Sequence, residues 1–108
     1  LNNPNTSLDF INIKDVSKYF IKAIKTESKS GIYNIGTGKG IKLFKILQII
    51  QKKIQNNNFK ISKNIDIKNI NNKPFIEFTS DNSKSKKIFK VKKNISIETG
   101  IAELINEN

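Results

Sequence analysis

An α/β fold is predicted for this chain, and three observations predict it. Short β-branched and aromatic runs alternate with longer stretches whose apolar residues recur at helical spacing. The segment Gly31-Ile-Tyr-Asn-Ile-Gly-Thr-Gly-Lys-Gly40 reads as a short strand that runs into a glycine-dense loop and then into an amphipathic helix. The length of 108 residues allows one domain with a modest core.

The elements follow in order. Leu1 to Ser7, rich in Asn and carrying Pro4, is loop-like, and a start at Leu1 instead of Met fits a fragment cut from a longer protein. Leu8 to Ile13 is a short strand candidate, with Ile11 and Ile13 on one face and Phe10 and Asn12 on the other. Asp15 is expected to cap a helix whose residues Tyr19, Phe20, Ala23 and Ile24 form one apolar stripe, while Lys18, Lys22 and Lys25 face water. Ser28, Ser30 and Gly31 end it. Ile32, Tyr33 and Ile35 give the strand before the glycine loop. Leu43, Ile46, Leu47, Ile50 and Ile54 make the longest and most regular helical stripe, stopped by Asn56-Asn57-Asn58.

Phe59-Lys-Ile61 alternates like a strand, and the stretch from 62 up to Pro74 reads as a loop with one short strand. Phe75, Ile76 and Phe78 form either a strand or an irregular apolar segment. Asp81 is the next expected cap, before a short helix that turns Ile88 and Phe89 inward. Ser96 caps a terminal helix with Ile97, Ile101, Leu104 and Ile105 on one side.

Composition bounds the chemistry. Cys and His are both absent, which removes disulfides, thiolate nucleophiles, the usual general base and the commonest metal ligand. If the segment belongs to an enzyme, most of the chemistry sits elsewhere. The formal charge of +11 points toward anionic partners, yet every basic residue is Lys. Proteins that read phosphates or bases favour the planar fork of Arg, so no nucleic-acid partner is expected, and the abundance of Asn, Ile and Lys fits an AT-rich coding bias. The basic cluster from Lys84 to Lys93 reads as a solvated helix face. No run approaches the ~18 apolar residues of a membrane span and no signal pattern opens the chain, so a soluble cytoplasmic protein with no membrane partner is expected.

Gly36, Gly38 and Gly40 sit where backbone N–H groups often receive phosphate. Their spacing is G-x-G-x-G, one residue short of the dinucleotide fingerprint, and Lys39 is followed by Gly40 where a phosphate loop has Ser or Thr. A tight turn at a helix start is therefore expected, with ligand contact secondary.

Four motifs then line up in order. Leu8-Asp-Phe-Ile-Asn-Ile-Lys-Asp-Val16 matches R-D-F/Y-I-H-V-x-D-V/L, and Gly31 to Gly40 matches G-x-V/Y-Y-N-I/L-G-S/T-G-x-G. Asp81-Asn-Ser-Lys-Ser-Lys-Lys-Ile-Phe89 matches D-x-S-K-A-x-x-x-L-G, and Ile95-Ser-Ile-Glu-Thr-Gly-Ile101 matches V/I-S-L/I-E-E-G-L/I. In this order, from about Ser7 to Ile105, the chain resembles the C-terminal part of extended short-chain dehydrogenases, the NAD-dependent epimerase/dehydratase family.

The resemblance implies the substrate-binding portion of a Rossmann-type enzyme that acts on nucleotide sugars as an epimerase, dehydratase or reductase, feeding polysaccharide synthesis. It also implies that NAD or NADP and the Tyr-x-x-x-Lys catalytic pair belong to an N-terminal domain outside these residues, and that the parent is a homodimer. No catalytic or cofactor-binding residue is then expected in this chain, which alone would be inactive. Tyr19 and Lys22 are one residue short of that pair, and Tyr19 reads as a core aromatic. By the resemblance, Phe10, Leu43 and Phe78 line the nucleotide pocket. The family's diphosphate-pairing Arg is Leu8 here, and a second phosphate-facing Arg is missing. Lys68 and Lys73 are the nearest cations to stand in for them as point charges. The His of I-H-V is Asn12, and Phe89 and Thr99 replace a Leu and a Glu. Two other functions remain open at the level of sequence: a Lys-rich polyanion-binding module and a truncated remnant.

Overall fold

The computed structural model describes residues 3, 5–27, 30–56 and 75–107. Among them, three short strands and four helices follow in the order β1 (Ser7–Asp9), α1 (Ile13–Lys25), β2 (Gly40–Lys42), α2 (Leu43–Asn56), β3 (Glu77–Phe78), α3 (Ser83–Phe89) and α4 (Ile97–Asn106). The strands form one sheet in the order β2-β1-β3. β1 runs antiparallel to β2, with Leu8 opposite Ile41, and parallel to β3, with Leu8 opposite Phe78. Ile41, Leu8 and Phe78 therefore form one apolar row across the sheet, because residues opposite one another in a ladder share a face. The expected α/β class with short strands and amphipathic helices is the one observed.

Local chemistry explains the boundaries. α1 begins three residues earlier than the Asp15 cap predicts, because the Asn12 side chain accepts from the Lys14 N–H at 2.9 Å and takes the capping role. The chain thus leaves the expected strand after Asp9. α2 begins at Leu43 as its apolar stripe predicts, but β2 intervenes between the glycine loop and the helix, and the Leu43 N–H donates to the Thr6 carbonyl at 2.9 Å. In α3 the flanking residue is Asn82, which makes no side-chain cap; Asp81, one residue earlier, accepts from the Ser83 N–H at 3.1 Å and from its hydroxyl at 2.6 Å. Ser96 caps α4 as expected, accepting from the Thr99 N–H at 3.1 Å. The strand expected at Ile32 to Ile35 pairs with no other strand among the described residues, and the strand expected at Phe59 to Ile61 lies outside them.

Two small cores hold the elements. Tyr19 of α1 meets Phe89 of α3 edge to face at 6.2 Å between centroids, and Tyr33 tilts against Phe89 at 5.1 Å. Ile49 of α2 and Ile101 of α4 are buried where those two helices pack. The rest of the α1 stripe is open, with Phe20 62% exposed and Ile24 86%, and Ile13 and, beyond the helix, Ile32 are as open. The helical period correctly predicts one apolar face, but among its described residues only Tyr19 is buried.

Candidate functional site

The glycine loop is a receptor, and what it receives is a side chain of the same chain. Asp9, at the end of β1, accepts from the Thr37 N–H at 2.9 Å and its hydroxyl at 2.5 Å through one carboxylate oxygen. The other oxygen accepts from the Gly38 N–H at 2.9 Å and the Ser80 N–H at 3.3 Å. Successive N–H groups in such a turn form an anion-binding nest. Gly38 holds φ at +75°, a conformation that suits glycine, and a Cβ at Gly36 would lie 2.5 Å from Ser80 Cβ and 2.6 Å from Asp9 Oδ2. Burial pushes the Asp9 carboxyl up, but the bonds from Thr37, Gly38 and Ser80 outweigh it and hold the pKa below the ordinary 3.8. The loop does not fit a dinucleotide pyrophosphate, since Asp9 already takes its N–H groups.

The remaining motifs are tied in the same manner. Asn82 donates its side-chain N–H to the Gly36 carbonyl at 2.7 Å, and the buried Ser85 hydroxyl donates to the Asn34 carbonyl. Asp15, fully buried, accepts from the Ile95 N–H at 2.6 Å and from Lys18 Nζ at 2.7 Å. Lys84 donates to the Ile32 carbonyl at 3.0 Å while its ammonium lies 4.4 Å from the centre of the Tyr33 ring. Motif one therefore clasps motifs two and four, and motif three clasps motif two. Sequence reading missed Asp9 and Asp15 as clasps, because bonds to backbone N–H groups as many as 80 residues away carry no periodic signal.

The predicted pocket residues are placed as follows. Phe10 lines two clefts, one between the start of α1 and α4, and one between the glycine loop and the α3–α4 connection. Phe78 is 75% exposed in β3, two strands from β2 on the apolar row, and Leu43 is half-buried at the head of α2. Neither lines the clefts that Phe10 does. Lys68 and Lys73 lie outside the described residues. Tyr19 is 1% exposed and its hydroxyl meets no partner among the described residues; burial first, and the charge of Asp15 second, push its pKa up. Among the described residues no His, Cys, Asp and Glu cluster suits a metal, and no helix is long and apolar enough to cross a membrane.

The sequence matches no protein-family model and no curated protein. A solved structure does match: UDP-glucuronic acid 4-epimerase from Bacillus cereus in complex with NAD, with a TM-score of 0.69 over 92% of this chain at 19% identity. The fold is that of a segment of this Rossmann-type epimerase. The chain spans 28% of the length of the epimerase chain that it matches.

Proposed function

We propose that the chain is the substrate-side portion of an NAD(P)-dependent nucleotide-sugar epimerase, dehydratase or reductase. The observation that carries this reading is the superposition of nearly the whole chain onto just over a quarter of an epimerase. The clasps support it, because the four family motifs are what the structure uses to fix β1, the glycine loop and the last two helices to one another. The apolar row of Ile41, Leu8 and Phe78, with Phe10 beyond it, is the surface assigned to the nucleotide end of the donor. The open faces of α1 and of Ile32 are assigned to contact with the rest of the enzyme, where NAD or NADP and the catalytic pair belong. When bound there, the nicotinamide supplies hydride exchange with the sugar ring. This chain contributes grip and orientation, and no step of the chemistry passes through its residues.

The polypeptide encoded ahead of Leu1 tests the reading. A glycine fingerprint after a strand, followed by Tyr-x-x-x-Lys, is expected, and the full-length protein should interconvert or reduce a nucleotide sugar in the presence of NAD or NADP. An upstream region with neither motif would overturn it.

A further inference from the structure

The connection from α3 to α4 is a strap anchored at both ends. Tyr19 and Phe89 hold α3 to α1, and Ile49 and Ile101 lie where α2 packs on α4, so the two helices that the strap joins belong to separate cores. Between them, from Val91 to Ile95, the single backbone hydrogen bond among the described residues is that of the Ile95 N–H, which donates to Asp15 Oδ2 at 2.6 Å. Lys92 and Lys93 are exposed and Val91, Asn94 and Ile95 half-buried, so no fully buried side chain pins the strap. At its start Lys90 holds φ at 51°, a strained pivot for a residue with a Cβ. The glycine loop across the cleft is fixed more firmly, since Thr37 and Gly38 together hold both carboxylate oxygens of Asp9.

We propose, independently of the substrate-side reading, that the strap opens and closes as a local unit while both cores stay folded, and that Asp15 is its latch. Segments with few buried contacts and few backbone bonds open well below the free energy of global unfolding. Asp15 is fully buried, and Lys18 Nζ at 2.7 Å satisfies its other oxygen, so Oδ2 is left to the strap. The place of the latch sets its consequence. Ile95, Ser96 and Ile97 line both the cleft of about 370 Å³ between α1 and α4 and the cleft of about 510 Å³ beside the glycine loop. The latched end of the strap is therefore a wall common to the two clefts. Its release joins them into one longer groove, with Phe10, which also lines both, at the junction.

Hydrogen exchange followed by NMR on the full-length protein, in urea raised up to the unfolding transition, tests the strap and its latch. The wild-type Ile95 amide should exchange at a rate that urea leaves nearly unchanged, the mark of an opening that exposes little surface, whereas the Tyr19 amide in α1 should quicken as urea rises. Asp15→Asn keeps the shape of the side chain but leaves one carbonyl oxygen for two donors. It should speed Ile95 exchange by about tenfold or more, still without dependence on urea, the loss expected for a bond to a charged acceptor. An Ile95 rate that climbs with urea as steeply as that of Tyr19 means that the segment opens only when the protein unfolds, and overturns the strap. An Ile95 rate unchanged in Asp15→Asn overturns the latch. The wild-type slopes decide the first question whether or not the variant folds.

Discussion

Asp9 was legible only as a polar residue of one motif and Asp15 only as an expected helix cap, yet each holds a distant backbone segment. For Asp9 the pH dependence follows from its depressed pKa. The stability it contributes is fully present above the ordinary carboxylate value of 3.8 and is lost as pH falls through the lower folded value. Urea unfolding of the full-length protein should show Asp9→Asn to be less stable at neutral pH by about 2–3 kcal/mol, the range for bonds to a charged acceptor. The gap to the wild type should close in acid. An equal gap at pH 7 and pH 3 would show that the charge does not matter. Tyr19 tests the opposite idea, that a residue resembling half of a catalytic pair is only core. Its hydroxyl is buried without a partner among the described residues, so Tyr19→Phe should leave turnover unchanged and stability equal or up to about 1 kcal/mol higher. A collapse of turnover in that variant, measured with the full-length enzyme, would return Tyr19 to the chemistry.

Elements were more legible than side-chain roles wherever a periodic face existed. α2 and α4 start where their stripes and caps predict, since a 3.6-residue period and a Ser cap are local signals. Asn12 displaced Asp15 as the cap of α1 because the backbone N–H of Ile95 claims the Asp15 carboxylate, and only the tertiary structure brings that group near. Ile32, Tyr33 and Ile35 have strand composition but form no strand among the described residues, because β propensity records fit to a sheet and not the presence of one. Of the residues that the resemblance assigns to a nucleotide pocket, Phe10 lines two clefts, and neither of these is lined by Leu43 or Phe78. The end of α3 offers a direct check. Lys90 holds φ at 51° and ψ at 39°, the left-handed conformation, at the position where the resembled motif has Gly. Lys90→Gly should stabilise the full-length protein by about 1 kcal/mol in urea unfolding, through relief of the Cβ clash. No gain, or a loss, would mean that the lysine side chain compensates for its backbone.

At the scale of the whole molecule, the balance of covered and open surface decides the account. Among the described residues only Tyr19, Ile49, Phe89 and Ile101 are buried hydrophobics, whereas Ile13, Phe20, Ile24, Ile32, Phe78 and Leu104 each expose more than half of their surface. A domain of this size already has little stability to spare, and leaving so many large apolar groups in water removes the main favourable term. The clasps fix the elements in place, but hydrogen bonds exchanged with water add only about 1 kcal/mol each and do not replace a core. Under the proposed function, the open faces are contact surface for the remainder of a parent enzyme, and the four motifs are the frame that presents a donor-binding face beside it. Calorimetric melting of the 108-residue chain alone, run with a dye that reports exposed apolar surface, tests this most directly. A broad, weakly cooperative transition with strong dye binding is predicted; one sharp transition above about 60 °C with no dye binding would contradict it.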